Sequence, residues 1–388
     1  MRGLRYYKNM IPVYGITFLF SFHYFLVLFV NSSNLERYWS ETAIGNLYTY
    51  GSVITLAIFV FASKIMRKTK VSHLFYSFLV LETIAIIMLS FIKGQFSSGV
   101  GFILLQASAP LIFFAIDIFM QELNKGSKHT GNIRSLLLTA SNITVMVSPL
   151  ISTWLITKYS FEMAYAVSFI SILPVFILSF ISIKKLKEPK TEEISAVHAL
   201  RVFSMKNDMR RIFEANLVLK IFYAIMIIYV PIYLHTYVGF SLKEIGIMFT
   251  VMLLPFVLFE IPFGTIADKW LGEKEIMIAG FFISSLSVLA LFLYPEKNLF
   301  VFSTLLFLSR VGASAIEITT ESYFFKKTNG EEIDIISFFR ITNPLSFIIA
   351  PIIALPIISN WGEPYVLLAL SIITMFGIVP ALLLKDTK

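Results

Sequence analysis

The sequence predicts an all-α integral membrane protein with twelve transmembrane helices, built as two six-helix bundles related by a pseudo-twofold axis along the membrane normal. Three observations carry that reading: an apolar excess in the composition, a succession of bilayer-length apolar runs, and a repeat that relates the two halves.

The composition comes first. The 388 residues are 57% hydrophobic and 14% charged, whereas a water-soluble chain carries about 25% charged residues. One or two soluble cores cannot hide that much apolar side chain, so the bilayer is the solvent. The formal net charge is +8, but the basic residues sit in short loops between apolar runs, which argues against nucleic acid as a partner. Cysteine is absent, which excludes disulfides, thiolate metal sites and a cysteine nucleophile. The histidines His23, His73, His129, His198 and His235 show no metal-ligand spacing. No phosphate-binding glycine loop occurs, so neither a metal nor a cofactor is expected.

A membrane helix needs roughly 20 mostly apolar residues to cross about 30 Å of hydrocarbon. Such runs lie near 10–30, 43–63, 72–92, 99–120, 134–157, 163–183, 214–236, 243–264, 275–294, 299–325, 334–358 and 364–384. The first follows Arg2, Arg5 and Lys8 and so mimics a secretory signal. It is too long for a signal core and no small-residue cleavage site follows, so it reads as a retained helix. Basic residues crowd one set of loops: Lys64, Arg67, Lys68 and Lys70, then Lys125 and Lys128, then the segment from Lys184 to Arg211. Opposite loops hold only Arg37, Lys93, Lys158, Lys243 and Lys297. The positive-inside rule then puts both termini in the cytoplasm of a cell-membrane protein. Residues 184–213 form a cytoplasmic linker between an N-terminal bundle, 1–183, and a C-terminal bundle, 214–388. Within it, 195–213 reads either as a plain linker or as a basic amphipathic helix on the inner leaflet.

The halves repeat at a shift of 201 to 206 residues. Ala43-Ile44-Gly45 matches Glu244-Ile245-Gly246, Gln106 matches Arg310, Asp117 matches Glu321, Asn142 matches Asn343, Arg134 matches Arg340, and Pro149 matches Pro351. Both halves hold six spans, so they share one orientation. Between the eighth and ninth runs stands Gly264-Thr-Ile-Ala-Asp268-Lys269-Trp-Leu-Gly272-Glu-Lys274. Its glycines allow a tight reversal, and the Asp268 carboxylate can cap a helix or pair with a basic neighbour.

With this loop and the repeat, the chain resembles the major facilitator superfamily over essentially its whole length. The first half departs from the loop pattern, with Ala62, Met66 and Thr69 where glycine, aspartate and glycine would stand. Gln106 replaces the membrane arginine of many proton-coupled members, and Val147-Ser148-Pro149 replaces the glycine-rich run of drug antiporters. The resemblance implies a secondary active or facilitative transporter of a small solute, working by rocker-switch alternating access with protons as a candidate coupling ion, and acting as a monomer. A membrane-embedded enzyme or a sensor on a transporter-like scaffold is the alternative. An enzyme would show clustered His, Asp or Glu at an interfacial loop, and a sensor would carry a soluble domain; neither pattern occurs in this sequence.

Ionisable groups in hydrocarbon tend to face the bundle interior or an aqueous path. In the tenth run, Ser303, Arg310, Ser314, Glu317 and Glu321 fall on a stripe about 60° wide at 100° per residue. Glu317 and Glu321 are one turn apart, and like charges so placed raise the affinity of at least one for a proton. Arg310 and Glu317 are candidates for substrate or proton binding, with Asn142, Asn343 and Tyr24. The asparagines can equally hold helices together. Asp117, Arg134, Asp268, Lys269, Glu321 and Arg340 are candidates for a cytoplasmic latch. His23 and Glu82 read as packed, hydrogen-bonded groups, and Ser141, Ser148 and Ser152 as a close-packing face. Pro149, Pro174, Pro231, Pro255, Pro262, Pro351 and Pro356 are expected to interrupt helices.

Overall fold

Twelve long helices make up most of the computed structural model, which describes residues 2–124, 130–183, 201, 203–328 and 333–385, with backbone alone for 2–10, 62–64, 66–67, 121–124, 130–140 and 333–334. They are α1 (Arg2–Leu28), α2 (Glu41–Lys68), α3 (Val71–Phe91), α4 (Gln95–Asn124), α5 (Thr130–Lys158), α6 (Phe161–Ser182), α7 (Asn207–Ile228), α8 (Leu242–Ile266), α9 (Glu273–Leu293), α10 (Leu299–Thr328), α11 (Thr342–Trp361) and α12 (Pro364–Phe376). Each overlaps one of the expected apolar runs. By length and composition, eleven of the described helices can cross a membrane, and α5, with 29 residues, stands in the remaining place. No strand occurs among the described residues. The chain is a multi-pass, all-α membrane protein.

The interruptions differ from expectation. Pro149, Pro174, Pro255, Pro262, Pro351 and Pro356 all lie inside continuous helices. Of the prolines singled out, Pro231 alone marks a break, at Tyr229, after which the chain continues as the short helix Val230–Ile232 and a π-helical turn, Tyr233–Tyr237. Two further breaks precede Pro344 and Pro380: one at Ile341, after the short helix Ile333–Arg340, and one at Gly377, before Ile378–Leu382. Each of these three prolines withholds an N–H from the carbonyl four residues earlier, which lies just ahead of the break.

The described residues fall into two compact units, the first within Met1–Thr55 and Lys64–Glu192 and the second within Leu56–Ser63 and Glu193–Lys388. In the first, α1 lies against α5 and α6, and α3 against α4 and α6. In the second, α7 lies against α11 and α12, and α9 against α10 and α12. The sequence repeat is thus also a repeat of helix neighbours. Linker residues 184–200 and 202 lie outside the described residues, and with them the start of the amphipathic helix expected at 195–213. Its far end belongs to α7, which begins at Asn207 rather than 214.

Polar and small residues fix the helix contacts, since lipid tails give apolar side chains no reason to prefer protein. In the first unit, His23 of α1 is fully buried between α3 and α6. Its Nε2 lies 3.1 Å from Glu82 Oε1, and its Nδ1 lies 2.8 Å from Ser168 Oγ. Ser108 of α4 donates to the other Glu82 oxygen. One buried pair therefore joins four helices. On α5, Ser141 meets Ser21 of α1 at 3.1 Å, while Ser148 and Ser152 bond back to carbonyls of their own helix. In the second unit, α9 and α10 cross at Gly280 and Gly312, where a Cβ built on Gly312 would lie 2.3 Å from the Gly280 carbonyl oxygen. That approach leaves room only for glycine.

Candidate functional site

Glycine packing against α9 fixes α10, and the polar stripe of α10 faces α7. Lys220 of α7 donates to Glu317 Oε1 at 2.8 Å, and the Tyr223 hydroxyl donates to Glu317 Oε2 at 3.0 Å. Lys220 and Tyr223 stand three apart on α7, so they share a face and reach the same carboxylate. The Lys220 and Glu317 side chains are 14% and 29% exposed, so water and lipid are largely excluded from the pair.

Arg310 lies two turns from Glu317 and makes no ion pair with it. Its guanidinium carbon sits 4.9 Å from the Phe222 ring and 5.1 Å from the Tyr223 ring. The residue is 2% exposed, and among the described residues it makes no hydrogen bond, its Nε being buried without a partner. Cation–π contact offsets part of the desolvation cost, but a buried charge left without a hydrogen-bonding partner is expensive. Lys220 Nζ also lies 5.1 Å from the Tyr223 ring. Two cations thus flank one aromatic ring, at most ~10 Å apart. Glu260 of α8 acts electrostatically on the same tyrosine.

Glu321, one turn beyond Glu317, takes Arg340 Nη1 at 2.5 Å and Nη2 at 3.1 Å, a two-pronged pair. Each carboxylate of the stripe therefore has its own cation. The expected repulsion between Glu317 and Glu321 is answered by Lys220 and Arg340.

Asp268 lies in a π-helical turn, Ala267–Leu271, at the end of α8. It accepts from Lys326 Nζ of α10 at 2.8 Å, and Lys326 also pairs with the fully buried carboxylate of Glu273. Ser322 donates to that same Glu273 oxygen at 3.0 Å. Gly272 makes the reversal, with φ of 91°, a region costly for any side chain. Gly264 has no such role; it lies within α8, and an added Cβ would meet Ile318 at an ordinary 3.4 Å. Lys269 is exposed. Beside this cluster, Arg211, Lys274 and Tyr323 donate to the carbonyls of Leu383, Leu384 and Lys385. They satisfy carbonyls left open where the final helical turn ends.

The remaining candidates are dispersed. Tyr24 of α1 packs edge-on to Phe25 and Phe113. Asn142, half-buried, lies on α5 of the same unit, and Asp117 is half-buried on α4. The side chain of Arg134 is outside the described residues. Asn343 opens α11, where its carbonyl accepts from Ser346 Oγ at 2.6 Å. Gln106 and Arg310, matched by the repeat, face different partners: Gln106 reaches Ser52 of α2 at 3.3 Å and packs on Gly51. Sequence reasoning missed Lys220, Tyr223, Glu260, Glu273 and Lys326. A charge at 220 within the apolar run was a signal, but a helix start at 214 placed it near the membrane edge, where lysines reach out to water.

Residues 213–388 match the family model of the Major Facilitator Superfamily. No curated protein matches the sequence. Among solved structures, the chain is similar to a POT family transporter in complex with 5-aminolevulinic acid, at a TM-score of 0.77 and 13% identity, over 96% of this chain and 95% of that one. It is also similar to a peptide transporter POT in complex with sulfate, at a TM-score of 0.75 and 11% identity, over 97% and 93%.

Proposed function

We propose that the chain is a secondary transporter of the Major Facilitator Superfamily, a reading supported by the family match over its second half and by its fold, and that its solute site is formed by Lys220, Tyr223, Arg310 and Glu317 on α7 and α10. It is a transporter rather than an enzyme, and it works by alternating access. The observation that carries the site is Arg310: buried at 2% exposure, with no hydrogen-bond partner among the described residues. A charge kept in that condition inside a membrane marks a substrate or ion path. Glu317, bound by Lys220 and Tyr223, is the proton acceptor of the site. The pairs Glu321–Arg340 and Asp268–Lys326–Glu273 serve as a latch at the inner ends of the helices. Asn343 supplies a further polar contact to the solute, and Asp117 belongs to the latch of the first half.

Proteoliposomes offered a mixed pool of labelled organic acids, amines, amino acids and sugars test the site. The wild-type chain is expected to accumulate at least one member of the pool. Arg310→Gln and Lys220→Gln are each expected to cut that uptake by more than tenfold while remaining folded. Uptake by both variants at the wild-type rate would place the solute elsewhere.

In this reading the chain acts as a monomer in the cell membrane with both termini in the cytoplasm, as its basic loops require. A cysteine at Lys93 or Glu296, both exposed, should react with an impermeant thiol reagent applied outside intact cells, and one at Lys68 or Lys269 should not. The chain has no cysteine of its own. The opposite labelling pattern would reverse the orientation.

A further inference from the structure

Resting on the solute site just described, we propose that its substrate is a small anion, a carboxylate or comparable oxyanion, which bridges Arg310 and Lys220 by taking the place of the Glu317 carboxylate.

The charges point that way. Glu317 already has two donors, Lys220 at 2.8 Å and Tyr223 at 3.0 Å, so a cationic solute would have to expel a built-in ammonium group. Arg310 has its guanidinium against two rings but without a hydrogen-bond acceptor among the described residues, and a guanidinium is shaped to grip a planar oxyanion through two N–H groups. Both cations border the Tyr223 ring, so an anion drawn to Arg310 lies within reach of Lys220 once that lysine is released. Release requires a proton on Glu317. The groups facing Glu317 are Lys220 and Tyr223 of α7, Arg310 and Glu321 of α10, Glu260 of α8 acting through Tyr223, and Arg340, which engages Glu321. With Arg340 committed to Glu321 and Glu260 acting on Tyr223, protonation takes from Lys220 the carboxylate it pairs with, and the anion replaces it beside Arg310.

The exchange balances. One proton passes from solution to Glu317 as one anion binds, and a monoanion then crosses with one proton and no net charge. An acidic exterior therefore drives uptake of the anion, and its departure lets Glu317 deprotonate and recapture Lys220.

The test is the thermal unfolding midpoint of the purified full-length chain at pH 5.5 and pH 8. The probes are sodium acetate, sodium succinate and sodium sulfate, set against methylammonium and choline chlorides at matched ionic strength. At least one anion is expected to raise the midpoint by about 2–4 °C at pH 5.5 and by less at pH 8. Arg310→Gln should abolish that rise, and Glu317→Gln, a mimic of the protonated acid, should show it equally at both pH values. Protection by methylammonium or choline that depends on Glu317, with none by the anions, overturns the anionic class and leaves the site itself standing. Anion protection that survives Arg310→Gln is a general solvent effect and overturns the proposal. So does the absence of protection by every probe. Uptake by Arg310→Gln proteoliposomes judges the site independently of these outcomes.

Discussion

Glu82→Ala is expected to destabilise the protein by about 1–3 kcal/mol, the cost of leaving a buried hydrogen-bonding group without its partner. Glu82 and His23 are both fully buried, and the carboxylate accepts from His23 on one oxygen and Ser108 on the other. Without it, the imidazole Nε2 faces a site that hydrocarbon surrounds and water does not reach. The serines lose less. Ser108 keeps the Leu104 carbonyl at 2.6 Å, and Ser168 keeps the His23 carbonyl at 2.8 Å. The damage therefore falls on the histidine, and a second substitution should repair much of it. His23→Leu combined with Glu82→Leu replaces the pair with apolar side chains of similar bulk, an exchange that is often neutral. Thermal unfolding of Glu82→Ala and of the double variant measures this. A double variant that recovers more than half of the loss identifies a structural pair. A Glu82→Ala variant as stable as the wild type would mean that the pair does not hold α1 to α3.

The helices were legible because hydrocarbon imposes a length and a composition that few soluble segments satisfy. Charges such as Lys158, Glu162 and Lys297 stand between the apolar runs, and helix ends follow them. The repeat was legible for the same reason, since both halves solve one packing problem, and the helix neighbours agree with it. Breaks were harder to read. A proline inside a membrane helix costs one hydrogen bond, and neighbouring groups can absorb that loss, so Pro149 and Pro255 leave their helices continuous while Pro344 and Pro380 follow breaks. Sequence alone does not show which prolines have such support.

At the site, the stripe of α10 could be seen because one helix carries it all. Its partners could not, because the ring of Tyr223 and the ammonium of Lys220 come from a helix almost a hundred residues away. Spacing on α10 suggested a repelling pair of carboxylates. Packing instead gives Glu317 a lysine and Glu321 an arginine, and leaves Arg310 as the unanswered charge. The loop between α8 and α9 shows the same division. Asp268 stood out by its motif, while its partner Lys326 and the buried Glu273 emerge only when the end of α10 meets the start of α9.

A charge exchange between the two helices separates a transport site from a structural pair. In Lys220→Glu combined with Glu317→Lys, the ion pair is rebuilt with its ends reversed, so the unfolding midpoint should lie near that of the wild type. The chemistry of the site is not rebuilt. Both cations now sit on α10, seven residues and about 10 Å apart along its axis, and α7 offers a carboxylate where the solute needs a cation. Tyr223 loses its acceptor as well. The decisive measurement is proton-driven uptake into proteoliposomes of whichever solute the wild-type chain accumulates. The double variant is predicted to fold and to accumulate none of it. Accumulation at the wild-type rate would contradict the account, because it would show that Lys220 and Glu317 do no more than hold α7 against α10.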